Sequence, residues 1–236
     1  MRTTLVTGAS SGIGLAICHH LLQQDWQVTG IARDFSKAID LSDNPNFTAA
    51  AIDLADLEQL PETINQLIKP MPSLDAVIFC AGKGQFGNIE EFSYSQIRAL
   101  MEINFTSQAY LARAVIPKMK RAKRGDLVFM GSEAALNGSR KGSIYCASKF
   151  ALRGFAQALR DECAKSGVRI SIINPGMVKT AFFDTLNFEP GSGHSESILP
   201  EDVAEMVALV LNLRHGTVID EITCNPTNKT IHFKES

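Results

Sequence analysis

The chain opens with a short apolar run, leaves it through a glycine-spaced turn and enters a helix-like stretch. No other segment restricts the fold as much. Residues 3–7 read as a strand, and Thr7-Gly8-Ala9-Ser10-Ser11-Gly12-Ile13-Gly14 follows at once. Gly8 lets the chain turn tightly out of the strand. Gly12 removes a Cβ where a ligand must approach the backbone, and Gly14 lets the helix lie close to the sheet. A helix that begins this way offers unsatisfied N–H groups and a partial positive charge, which suit a phosphate. The backbone of Ser10, Ser11 and Ile13 belongs to the same cradle.

The alternation continues along the whole chain. Strands are expected at 3–7, 27–32, 47–52, 76–80, 126–130, 169–173 and 217–224, and helices at 14–24, 56–69, 95–121, 148–165 and 201–213. Ala76-Val77-Ile78-Phe79 is apolar without a break, as a strand covered on both faces must be. Strand and helix in turn imply parallel strands joined by right-handed crossovers. The expected architecture is α/β, a doubly wound and mostly parallel seven-stranded sheet flanked by helices, in one domain over 1–236. Pro117 is expected at a bend or in the last turns of its helix. Residues 180–199 carry Pro190, Gly191 and Gly193, lack a period, and read as a loop or lid over a site.

Composition narrows the function. A net charge of −2 with 20% charged residues argues against a general affinity for nucleic acid or an anionic membrane surface. The N-terminus shows no basic stretch leading into a long apolar one, so neither a signal peptide nor a membrane span is expected. Five cysteines without a CxxC pair fit a reducing compartment, the cytoplasm. Cys18-His19-His20 do not converge on a metal, because neighbours on a helix point about 100° apart. The basic cluster from Lys118 to Arg124 reads as a solvated helix end.

Two further constellations carry chemistry. The second strand ends at Ala32, where dinucleotide folds often place an acid for the ribose 2′-hydroxyl of NAD. Arg33 follows, with a guanidinium suited to the 2′-phosphate of NADP. NADP(H) is therefore expected over NAD(H), with Asp34 able to take the acid's place if the strand ran longer. Farther on, Tyr145 and Lys149 are four residues apart and share a helix face. A phenol has a pKa of about 10, and a cation roughly 4–5 Å away is worth two to three units, which would bring it into acid/base range.

Taken together, these elements resemble the short-chain dehydrogenase/reductase family. The matching residues are Thr7-Gly8-x-x-x-Gly12-x-Gly14, Asp53-Leu54, Ala81-Gly82, Asn104, Ser132, Tyr145-x-x-x-Lys149 and Asn174-Pro175-Gly176 with Thr180, in family order. The resemblance implies a hydride transfer between nicotinamide and a carbonyl or alcohol. In it, Tyr145 exchanges the proton and Ser132 orients the oxygen. Lys149 binds the ribose and lowers the Tyr145 pKa. Asn104 distorts its helix and holds a water for a proton relay. Asp53 and Leu54 would receive the adenine, Ala81 and Gly82 would let the backbone lie along the cofactor, and Pro175, Gly176, Val178 and Thr180 would frame the nicotinamide. It also implies a homodimer or homotetramer through the two long helices. The chain departs from the family pattern at Cys80, where an Asn is usual. A sensor that binds NADP(H) without turnover is the competing reading; a sensor has no need of the phenol and its cation.

Overall fold

The computed structural model describes residues 1–36 and 38–234. In chain order it runs β1 (Thr3–Thr7), α1 (Gly12–Gln23), β2 (Gln27–Ala32), α2 (Ile39–Ser42), β3 (Phe47–Ala51), α3 (Leu60–Ile68) and β4 (Ala76–Phe79). Then come α4 (Tyr94–Met101), α5 (Ser107–Ala122), β5 (Gly125–Met130), α6 (Ser143–Cys163), β6 (Val168–Pro175), β7 (Phe188–Pro190), α7 (Pro200–Asn212), β8 (Glu221–Cys224) and β9 (Ile231–Phe233). Seven strands form one sheet in the order β3-β2-β1-β4-β5-β6-β8, and every pair is parallel.

Alternate residues of the central strands feed two cores. Leu127 and Phe129 pack with α3, α5 and α6, whereas Val128 and Met130 pack with α1 and α7 on the other face. This period of two explains why β5 is apolar throughout: neither face meets water. Strand order reverses between β1 and β4, and a crevice opens beyond the carboxyl ends of strands at such a switch point. The result is a Rossmann-like domain with helices on both faces. Among the described residues no helix is long and apolar enough to cross a membrane.

The sequence expectations differ from this fold at several ends. The last parallel strand begins at Glu221 and not at 217, because the Arg169 guanidinium takes the Leu213 and Thr217 carbonyls at 3.0 and 3.1 Å and curls that segment aside. The long helix is three pieces: α4, a π-helical turn at Glu102–Thr106, and α5. Pro117 lies in the last two turns of α5, which ends at Ala122, as expected. Helix α6 starts five residues ahead of the expected 148, so Tyr145 already lies in its first turn. The aperiodic stretch 180–199 contains a 3₁₀ turn at Ala181–Phe183 and the three-residue β7, too short to show a period. β7 pairs antiparallel with β9 near the C-terminus, and neither strand was anticipated.

Candidate active site

The turn after β1 forms as its glycines require. Gly12 sits at φ +52°. A Cβ on Gly14 would stand 2.2 Å from the Gly8 carbonyl oxygen, so only glycine lets α1 begin this close to the strand. Ser11 occupies the N-cap position without a side-chain cap, and Ser11, Gly12, Ile13 and Gly14 all line the cleft. The first amides of α1 thus face an open space, the arrangement that receives an anion.

That cleft measures about 1170 Å³ and reaches from the glycine turn to the start of α6. It brings together Gly8, Ala81, Gly82, Ser132, Tyr145, Lys149, Pro175, Gly176, Val178 and Thr180 from the residues singled out in the sequence. Arg33, Asp53 and Leu54 do not line it, nor does Ser10; the first three lie past the ends of β2 and β3. Arg33 is exposed, and β2 stops at Ala32, in register with Ala51 of β3. Asp34 is therefore two residues beyond the strand. Its carboxylate accepts the Ser36 amide at 2.8 Å and the Ser36 hydroxyl at 2.7 Å, which holds a turn. The Asp53 carboxylate accepts the Ala55 amide at 2.9 Å, and the Leu54 side chain is buried.

At the chemical end, the π turn explains the position of Asn104. Fully buried, its Oδ1 accepts the Lys83 amide at 2.9 Å, and its Nδ2 donates to the Lys83 carbonyl at 3.0 Å and to Ser148 Oγ at 3.1 Å. Gln108 Nε2 donates to the Asn104 carbonyl at 2.9 Å and to the Ala81 carbonyl at 3.0 Å. A π turn frees a helical carbonyl from its usual partner, and Gln108 bonds the one at Asn104. Ser148 Oγ donates in turn to the Tyr145 carbonyl at 2.7 Å. Asn104 therefore ties α4–α5, the segment after β4 and the first turn of α6 into one frame.

Ser132 leaves β5 with its hydroxyl oxygen accepting the Ala134 amide at 3.1 Å, which leaves its proton directed to the Tyr145 phenol. Its own amide donates to Asn174 Oδ1 at 3.2 Å. Asn174 Nδ2 reaches Glu221, whose carboxylate also takes both forks of Arg153 at 2.8 and 3.0 Å. This chain from Arg153 on α6 through Glu221 on β8 and Asn174 on β6 to Ser132 was not visible in the sequence, because its members are scattered over about ninety residues.

The electrostatics correct one expectation. Lys149 was expected to bring the Tyr145 phenol down toward neutrality. In the structure burial pushes Tyr145 up to about 12, with the Ser132 hydroxyl acting in the opposite direction. Burial also pulls Lys149 down to about 8. The lysine Nζ donates to the Met130 carbonyl at 3.0 Å and lies 5.8 Å from the centre of the Tyr145 ring. Both groups are buried, and desolvation of the charged form is the largest cause of each shift. Cys80 fills the departure from the family pattern without breaking the sheet. The Cys80 and Ala81 amides both donate to Thr7 Oγ1 at 3.0 Å, and β4 keeps its register with β1 and β5.

Aromatic rings surround the phenol. Phe86 lies 5.0 Å and Phe182 6.0 Å from Tyr145, and Phe188 lies 5.0 Å from Phe86. Phe182 and Phe188 belong to the stretch read as a lid, whereas Phe86 was not singled out. Only the fold brings its loop against α6.

A parallel sheet, a glycine cradle and a buried Tyr–Lys pair define a dinucleotide-dependent dehydrogenase scaffold. The chain belongs to the short-chain dehydrogenase family, whose model, described as short chain dehydrogenase, matches residues 2–190. It is 28% identical to an uncharacterized oxidoreductase of Staphylococcus saprophyticus over 231 residues, 95% of this chain and 97% of the relative. A metagenomic short-chain oxidoreductase in complex with NADP superposes with a TM-score of 0.82 at 27% identity, over 97% of this chain and 98% of the other. A 4-hydroxyisoleucine dehydrogenase complexed with NADH gives 0.86 at 22% identity, over 96% and 98%. The protein is an oxidoreductase of this family.

Proposed function

We propose that the protein uses NADP(H) to interconvert a carbonyl and an alcohol, with Tyr145 as the proton-transferring group. The observation that carries this reading is the convergence of Ser132, Tyr145 and Lys149 on one cleft that also contains the glycine turn. A sensor would need the glycine turn but not a buried phenol beside a buried ammonium.

The residues present fit the dinucleotide. The α1 amides suit the pyrophosphate, Lys149 suits the ribose hydroxyls, and Thr180 with Pro175, Gly176 and Val178 would hold the carboxamide end. Asp53 and Leu54 would flank the adenine. When bound, the nicotinamide supplies or accepts the hydride. Ser132, whose hydroxyl bonds the Tyr145 phenol here, would turn its proton to the substrate oxygen, and Tyr145 would deliver the proton to that oxygen during reduction. With its pKa pushed up to about 12, the phenol stays protonated throughout the neutral range and is ready to donate. Asn104 would position this apparatus through Ser148 and Lys83, and its π turn is the element suited to a proton relay.

The pH dependence follows from the same pair. Lys149, with its pKa lowered to about 8, is charged below that value and neutral above it. The expected kcat/KM for reduction is level at lower pH and falls about tenfold per unit above pH 8. In Lys149→Arg, which keeps its charge, whatever activity remains should not show that limb; a wild-type profile flat to pH 10 would refute the assignment.

The cofactor choice rests on Arg33. The fold accepts either dinucleotide, so the difference must come from side chains at the β2 end. Asp34 is committed to its turn, and Arg33 is exposed and suited to a 2′-phosphate. A charge-assisted bond of this kind contributes about 1.5–3 kcal/mol. Arg33→Ala should therefore lower the NADPH-over-NADH ratio of kcat/KM by roughly 10- to 150-fold. An unchanged ratio would refute the role of Arg33.

A further inference from the structure

We propose that the C-terminal strand β9 is a wall of the substrate site, and that the site takes a neutral carbonyl compound with a long apolar chain. This rests on the oxidoreductase reading above and names its substrate class. The register of the β7–β9 ribbon sets Phe188 opposite Phe233 and Pro190 opposite Ile231. Ile231 and Phe233 both line the cleft, as residues two apart on a strand share a face. Yet they are 44% and 77% exposed. Two large apolar side chains stand in water on the wall of a catalytic cleft, and an apolar occupant would desolvate them.

Their placement is secured by polar ties. A two-stranded ribbon of three pairs is marginal in water by itself. Lys229 bonds Glu133, the residue after Ser132, at 2.5 Å, and Thr230 Oγ1 donates to Glu196 at 2.9 Å. Lys234 Nζ donates to the Phe183 carbonyl at 2.6 Å. The tail is thus bound both to the segment carrying Ser132 and to the lid. From Tyr145 outward, Phe86 and Phe188 continue the apolar surface to β9. Lys229 and Glu133, both in the cleft lining, pair with each other. Arg140 and Lys141 also line the cleft, and an anionic substrate is the alternative they would favour.

The test is a series of straight-chain 2-ketones from butanone to 2-octanone with NADPH, run with wild type and with Ile231→Ala/Phe233→Ala. Each methylene buried in an apolar site is worth about fourfold. The expected kcat/KM rises about fourfold per methylene in wild type and less than twofold in the double variant, with the loss in KM for the longer ketones. The two exposed side chains support no core, so the variant should keep its fold, which its melting curve checks. A flat series in wild type, an equal slope in the variant, or a tenfold preference for 2-oxooctanoate over 2-octanone would overturn the proposal. If no ketone turns over, the carbonyl-reduction reading has failed. Saturation-transfer NMR with 2-octanone then judges the wall separately. Binding weakened about tenfold or more in the variant supports it; equal or absent binding overturns it.

Discussion

Tyr145→Phe lowers kcat/KM for carbonyl reduction by about 10²- to 10⁴-fold, the usual contribution of a positioned acid or base. The substitution removes one oxygen from a buried ring and leaves the packing of that ring against Phe86 in place. NADPH affinity, measured by equilibrium binding, should change little, because Lys149 and the glycine turn remain. The loss then falls on the chemical step and not on assembly of the site. Turnover within a few fold of wild type would remove Tyr145 from the mechanism. NADPH binding without turnover of any carbonyl by wild type would favour the sensor.

The largest effect on stability is expected away from the cleft. Asp126 and Arg169 face each other across β5 and β6, both largely buried, with contacts of 2.5 and 3.0 Å. Arg169 also holds the turn after α7 through the Leu213 and Thr217 carbonyls. Asp126→Ala leaves a buried guanidinium uncompensated, which costs about 3–5 kcal/mol. For a domain of this size that lowers Tm by roughly 6–20 °C. Removing both charges, as in Asp126→Leu/Arg169→Met, should cost less than Asp126→Ala alone, since no unpaired ion remains. Thermal unfolding of the three proteins checks the order, and a loss under 1 kcal/mol in Asp126→Ala would show that water reaches Arg169.

Most of the sheet was legible in the sequence, because strands covered on both faces are uniformly apolar and the glycine turn marks where the first one ends. The ends of elements were less legible. Tyr145 lies in the first turn of a helix whose opening residues, Ser143 and Ile144, carry no clear capping pattern. The last parallel strand starts late because Arg169, distant in sequence, claims the carbonyls before it. Many of the residues that line the cleft were legible, but not their electrostatics. Tyr145 and Lys149 read as a partnership that lowers the phenol pKa, whereas their burial, set by tertiary packing, raises it. Residues that support others stayed invisible: Gln108 beneath Asn104, Glu221 between Arg153 and Asn174, and Ile231 and Phe233 at the cleft wall.

The Glu221 bridge has a consequence for biosynthesis. Arg153 on α6 and Asn174 on β6 are both made long before the carboxylate that joins them. A growing chain could pair β1 through β6 and cover them with helices while the segment carrying Ser132 still lacked this anchor. Competence would then arrive late and all at once, when the edge strand docks beside β6. A nascent chain arrested ahead of residue 221 would be folded in most of its core and idle as an enzyme.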